Sequence, residues 1–221
     1  MMIKILQQNL IKVSIICLIL LPVIGNSQNA IFLKGGTNYN FLGIGFEEGY
    51  GDRFGYTLGL GGIIEIGDNL VITPEIGYSS RSLELYTPFY INDNFTDADL
   101  RLGLNYIDVS AHIGYGGFFE QESDNSFSST NLFMLYAGPQ VSFLSSQNNR
   151  LITDFGKDDV QEIERIQNYI IAINAGISLG VRNFFVDVRY SIPLNSFLEL
   201  DTFGDALHTM NLTVGYSFMI R

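Results

Sequence analysis

Met210-Asn211-Leu212-Thr213-Val214-Gly215-Tyr216-Ser217-Phe218-Met219-Ile220 puts every large apolar side chain except Met219 on an even position. Successive side chains of a strand point to opposite faces, so this segment has one greasy face and one face of Asn, Thr, Gly and Ser. In a water-soluble sandwich the polar set would meet solvent. Here the apolar face carries aromatics towards its end and the other face is small and polar. That is the pattern of a transmembrane barrel strand, with lipid outside and a packed polar lumen inside.

Working back from this strand, period-two runs bounded by turn residues give eight segments: 30–41, 54–66, 70–83, 104–118, 131–145, 168–181, 184–194 and 206–220. Gly67-Asp68-Asn69 and Arg182-Asn183 read as tight hairpin turns. Pro88 to Asp99 reads as a long polar connection, and Val160 to Ile166 as a short helix within another. The expected fold is all-β, an eight-stranded antiparallel up-and-down transmembrane β-barrel, because an even count suits a single-chain outer-membrane barrel. Such barrels keep short turns in the periplasm and long loops outside, which places both termini in the periplasm. The long connections hold Glu47, Glu48, Asp52, Glu84, Asp93, Asp97, Asp99, Asp154, Asp158, Asp159, Glu162, Glu164, Glu199, Asp201 and Asp205, so most negative charge is expected on the extracellular face.

The first residues supply the compartment. Lys4 and Lys12 flank a polar lead, Val13 to Leu21 is almost unbroken aliphatic, Pro22 breaks the helix, and Gly25-Asn26-Ser27 offers small residues to a signal peptidase. A retained membrane helix would need roughly 20 apolar residues, more than this run provides. A lipid anchor at Cys17 is disfavoured by bulky Ile16 before it. Residues 1–27 are therefore read as a secretory signal and 28–221 as the barrel domain. Cys17 leaves with the signal, so the mature chain has no thiol for a disulfide, a nucleophile or a Cys-zinc site.

Composition narrows the function. The net charge is -11 with only 12 Lys and Arg, so no basic stripe exists to neutralise phosphates and nucleic acid is excluded as a partner. The chain is 47% hydrophobic and 16% charged, with a mean hydropathy of +0.20, yet it has no second run long enough for a membrane helix. A closed barrel in the outer membrane of a Gram-negative-type envelope reconciles these facts. The partners that follow are outer-membrane lipid, the barrel-assembly machinery and an envelope protein still to be identified.

Parity also predicts the lumen. Lys34, Glu65, Glu75, Arg81, Asp108, Asp187 and Arg189 all fall on inward positions, with Asn38, His112 and Gln140 beside them. Eight strands enclose a space just wide enough for side chains to fill, so opposite charges inside must meet. Lys34, Arg81 and Arg189 are expected to pair with Glu65, Glu75, Asp108 and Asp187. Such a network reads either as a proton or ion relay or as a structural ion-pair plug. The plug is preferred, because an isolated buried charge costs several kcal/mol and pairing restores much of it.

The signal and the terminal Val214-Gly215-Tyr216-Ser217-Phe218, together with Phe32-Leu33-Lys34-Gly35-Gly36-Thr37-Asn38-Tyr39, Ile72-Thr73-Pro74-Glu75-Ile76-Gly77-Tyr78-Ser79-Ser80, Asn105-Tyr106-Ile107-Asp108-Val109 and Tyr136-Ala137-Gly138-Pro139-Gln140-Val141-Ser142, resemble the PorT-like family of outer-membrane β-barrel proteins. The resemblance runs over nearly the whole mature chain and implies the barrel fold. The family takes its name from a component of a protein-secretion system, and the fold alone does not set a role. Barrels often end on an aromatic residue, whereas this chain ends Phe218-Met219-Ile220-Arg221, which leaves Tyr216 and Phe218 as the assembly signal.

Enzymatic readings fare poorly. Asp108, Ser110 and His112 share a strand face, but neighbours two apart on a strand are about 7 Å from one another. A nucleophile and its base need about 3 Å. His208 near the outer rim reads as an interfacial residue. No metal-binding spacing is present beyond the weak calcium pair Asp158 and Asp159, and neither cofactor nor catalytic residue is assigned. The expected function is therefore a non-enzymatic barrel with a structural, docking or loop-presenting role, within an envelope secretion or assembly complex. The alternative is a small-solute or ion channel of porin type, which eight strands with a charged plug disfavour. A soluble ligand-binding barrel would need polar outward faces. Mass measurement of the exported protein is expected to give an N-terminus at or close to Gln28; a lipid on Cys17 or a full-length chain would reverse the compartment reading.

Overall fold

The computed structural model describes residues 29–42, 50–66, 69–91, 94–121, 129–153, 156–160, 166–196 and 206–220. The expected signal with Cys17 lies outside the described residues. So do Glu47, Glu48, Asp93, Asp154, Glu162, Glu164, Glu199, Asp201, Asp205 and most of the expected helix from Val160 to Ile166.

Ten strands follow in chain order: β1 (Asn29–Leu42), β2 (Tyr50–Ile66), β3 (Leu70–Ile91), β4 (Asn94–Gln121), β5 (Ser129–Gln147), β6 (Asn149–Thr153), β7 (Gly156–Val160), β8 (Tyr169–Val181), β9 (Phe184–Pro193) and β10 (Leu207–Ile220). Eight of them close on themselves in the order β3-β2-β1-β10-β9-β8-β5-β4, with β3 pairing back to β4. The first and last strands seal the wall in continuous register from Asn29↔Ile220 to Leu42↔Leu207. Every pairing is antiparallel. Closure leaves no unpaired edge within the wall, the condition for crossing hydrocarbon with strands.

Alternation decides which face meets lipid. In β9 exposed and buried positions alternate over Phe184–Pro193, and in β10 Met210, Leu212, Val214, Phe218 and Ile220 are exposed while Thr209, Thr213 and Ser217 are buried. The outward apolar residues form a belt between two aromatic girdles. At the short-turn end Tyr216 packs against Phe184 and Phe218, at ring distances of 5.0 and 4.8 Å. At the opposite end Phe41, Tyr190 and His208 stack, and the Tyr190 hydroxyl lies 2.8 Å from His208 Nδ1. Amphipathic rings suit the membrane–water interface.

The short turns carry their own fastenings. Arg182 takes φ of 59°, and Asn183 beside it donates its side-chain amide to the Ser217 carbonyl at 2.7 Å, tying the β8–β9 turn to β10. Near the β4 end Gly116 and Gly117 have φ of 124° and 150°, a region that side chains disfavour. That kink turns the Phe118 amide onto the Glu65 carboxylate at 2.7 Å.

Two expectations are corrected. Pro88 to Asp99 is not a loop: β3 and β4 continue in register through Pro88↔Asp97 to Ile91↔Asn94. Crossing takes only about 9–11 tilted residues, whereas β4 has 28, so this hairpin runs far past the belt. The stretch between the fifth and sixth predicted strands forms the hairpin β6–β7, which pairs with the outer part of β4 from Ala98↔Thr153 to Arg101↔Arg150. Period-two reading misses both because strand segments beyond the belt have no lipid face to require apolar alternation.

Replacing Val188 or Val214 with Arg is expected to cost about 2–4 kcal/mol near the midplane, whereas Ser191→Ala on the lumen side costs much less. Urea unfolding in lipid vesicles, read by the mobility difference between unheated and boiled samples, measures both.

Candidate functional site

The lumen is layered, which corrects the expectation of a polar interior throughout. Towards the short-turn end Ala30, Phe32, Ile63, Val71, Phe118, Leu132, Met134 and Phe185 form an apolar cluster with Tyr136 at its upper edge. Towards the other end Leu83, Leu102, Leu104, Tyr106, Ile166, Ile170 and Leu207 form a second. The charged residues lie between them. Parity counts which side chains point inward but is blind to their height in the barrel, and height is what separates these layers.

In the middle layer Lys34 of β1 reaches Glu75 of β3 at 2.9 Å and Asp187 of β9 at 3.1 Å. Arg189 meets Glu75 with both terminal nitrogens, at 2.7 and 3.3 Å, a two-pronged pairing that fixes orientation as well as charge. Tyr136 of β5 joins the two halves: its hydroxyl accepts from Arg189 Nε at 3.0 Å and donates to Asp187. Ser178 donates to the same carboxylate at 2.7 Å. Lys34 needs open space beside it, and Gly59, its register partner on β2, supplies that space. A Cβ there would come within 2.8 Å of the Glu75 carboxylate.

A second group sits on β3, β4, β5 and β8. Arg81 donates to Asp108 at 2.8 Å and Ser142 at 2.9 Å, and its guanidinium covers the Tyr106 ring at 4.7 Å. Gln140 donates to Asp108 and Ser142 and accepts from Asn174 at 2.8 Å. Asn174 also donates towards His112 Nε2 at 3.0 Å, while His112 Nδ1 lies 3.3 Å from Thr73 Oγ1. The ring is thus held between β3 and β8. His112 is engaged by Thr73 and Asn174, and Asp108 by Arg81, so neither addresses Ser110.

The seven residues expected in one network divide: Lys34, Glu75, Asp187 and Arg189 form one ion-paired cluster, and Arg81 and Asp108 form a separate pair. Glu65 does not join them. It lies at the short-turn end, where its carboxylate takes the Phe118 amide in place of a cation. Three cations therefore face three carboxylates. Voids of about 20 and 10 Å³ touch this layer, each on the scale of a single water. Tyr136, Ser142, Asn174 and Ser178 are the members that residue-by-residue reading overlooks; their only signal is inward parity, shared with residues that do nothing polar. Among the described residues no group of three or more His, Cys, Asp or Glu is placed to hold a metal.

A closed barrel with a lipid-facing belt, two girdles and an ion-paired lumen defines an integral outer-membrane protein. The chain belongs to the family described as outer membrane protein beta-barrel domain, which matches residues 26–199. Its fold is similar to that of Neisserial surface protein A, at 14% identity and a TM-score of 0.39 over 87% of this chain and 98% of that one. It is likewise similar to Ail of Yersinia pestis, at 15% identity and a TM-score of 0.39 over 88% and 100%. For OprG of Pseudomonas aeruginosa the values are 12% and 0.42 over 88% and 98%. No curated protein sequence matches the chain.

Arg81→Met is expected to destabilise by about 3 kcal/mol, because it leaves the half-buried Asp108 without its cation. Arg81→Met combined with Asp108→Leu should cost clearly less than the sum of the two single changes. A double-mutant cycle by reversible unfolding in lipid tests this, and additive losses would show that the two side chains do not act as a pair.

Proposed function

We propose that this protein is a non-conducting, non-enzymatic barrel that docks an envelope partner through the sheet at its long-hairpin end, with both termini in the periplasm. The observation that carries the reading is the contrast between the two ends of the wall. The lumen is filled by apolar side chains and paired charges, while the outer parts of β3 and β4, widened by β6 and β7, build an extramembrane sheet. Crossing the bilayer does not require that sheet. Among the described residues the sheet ends at β7, and the charged sequence of that strand, Gly156–Val160, is of the kind that discourages indiscriminate strand pairing and so favours a specific partner.

Three further points support the proposal. The short β2–β3 and β8–β9 turns share one end, the end that outer-membrane barrels keep in the periplasm. The engagement of His112 and Asp108 away from Ser110 favours a structural role for these residues over nucleophilic chemistry. The resemblance to the PorT-like family suggests a secretion or assembly complex as the setting, with an N-terminal signal delivering the chain to it.

A photo-crosslinking residue in place of Lys157 is expected to give one discrete adduct in native membranes, and the purified protein to leave a planar bilayer silent. Steady, ion-selective conductance abolished by Arg189→Ala, with no adduct, would replace docking with the channel reading.

A further inference from the structure

Just beyond the belt, on the outward surface of β2, β3, β4 and β6, lies a groove of about 560 Å³. Arg53, Arg101, Arg150, Ser80, Ser82 and Asn105 line it, and among the described residues no carboxylate does. Phe54 and Tyr56, 70% and 52% exposed, also line it where it meets the belt. Below them the wall is apolar, with Leu58, Ile76 and Ile107 facing outward. The groove therefore spans the level at which a lipid changes from chain to headgroup.

Its charge is unusual for this chain. The whole sequence has 12 Lys and Arg against 23 Asp and Glu, yet three arginines share one outward patch. Arg101 and Arg150 are direct register partners across β4 and β6, so two cationic side chains stand side by side on one face. Glu84, register partner of Arg101 on β3, bonds both Arg53 and, at 2.8 Å, Arg101. Burial raises its pKa, but the hydrogen bonds from Arg101 and Arg53 outweigh that and hold this group, outside the belt, below its ordinary value. It stays ionised at neutral pH and keeps the two guanidiniums in place.

We propose that this groove holds the phosphorylated sugar headgroup of an outer-leaflet glycolipid, with the arginines on phosphate, the Ser and Asn side chains on sugar hydroxyls, and the acyl chains on the belt below. Guanidinium forks match phosphate oxygens in pairs. Sugar hydroxyls both donate and accept, as serine and asparagine side chains do. The assignment to the outer leaflet rests on the orientation proposed above.

The test uses the full barrel in detergent micelles, with native mass spectrometry counting the lipid retained. The probes are a bisphosphorylated, acylated glucosamine disaccharide, the same lipid stripped of phosphate, and inorganic phosphate as competitor. The bisphosphorylated lipid is expected to be retained at least about tenfold better than the stripped one, and Arg101→Ala with Arg150→Ala to lose that preference, a factor within reach of a single lost charge-assisted contact. The double variant should keep its unheated gel mobility, which separates lost binding from lost folding. Equal retention of both lipids, or an unchanged preference in a folded double variant, overturns the proposal; displacement by inorganic phosphate at low millimolar concentration overturns the lipid as its source. Orientation is read separately by maleimide labelling of Asn94→Cys, in a Cys17→Ser background, on intact cells. Labelling is expected, and retention without it would keep a phosphate groove while overturning the outer-leaflet assignment.

Discussion

Inward side chains have nowhere to go in an eight-stranded barrel. The wall is closed, the interior is about as wide as the side chains it holds, and lipid surrounds the outside. An inward charge must therefore be met by another inward residue or by a backbone group, although a neutral group such as the Tyr106 hydroxyl is buried without a hydrogen bond. Lys34, Glu75, Asp187 and Arg189 obey this constraint by converging, and Tyr136 links them because its hydroxyl can accept from one side and donate to the other. Glu65, too far down the barrel to reach a cation, obeys it with the Phe118 amide.

The apolar layers follow from the same constraint. Phe32 meets Phe185 edge to face at 5.7 Å below the charges, and Leu83, Leu102 and Leu207 pack above them. Low-dielectric material on both sides strengthens each ion pair and raises the cost of breaking it. The plug is thus a stack in which every layer depends on the one beside it. A conducting path would have to open all three.

Outside the lumen, the constraint is released and the sequence changes character with it. Above the girdle formed by Phe41, Tyr190 and His208 the strands need no greasy face, and β3 and β4 run on as a hairpin joined by β6 and β7. Outward positions at that height are free to carry arginine, serine and asparagine. The residues that differ most from the lipid-facing norm are therefore those beside the level of lipid headgroups.

Alternation along the chain was enough to determine the barrel, the strand number in its wall, the lipid-facing residues of strands such as β9 and β10, and the inward parity of all seven expected lumen residues. Alternation is local: it comes from the geometry of a single strand and survives in a linear reading. Tertiary structure alone decided the partners. Which carboxylate faces which cation depends on the stagger between strands, and that stagger sends Arg189 to Glu75, 114 positions away, and leaves Glu65 without a cation. The hairpin beyond the belt and the arginine groove were hidden for a related reason. They are made by pairing among β2, β3, β4 and β6 where no membrane imposes a pattern, so nothing periodic marks them in the sequence.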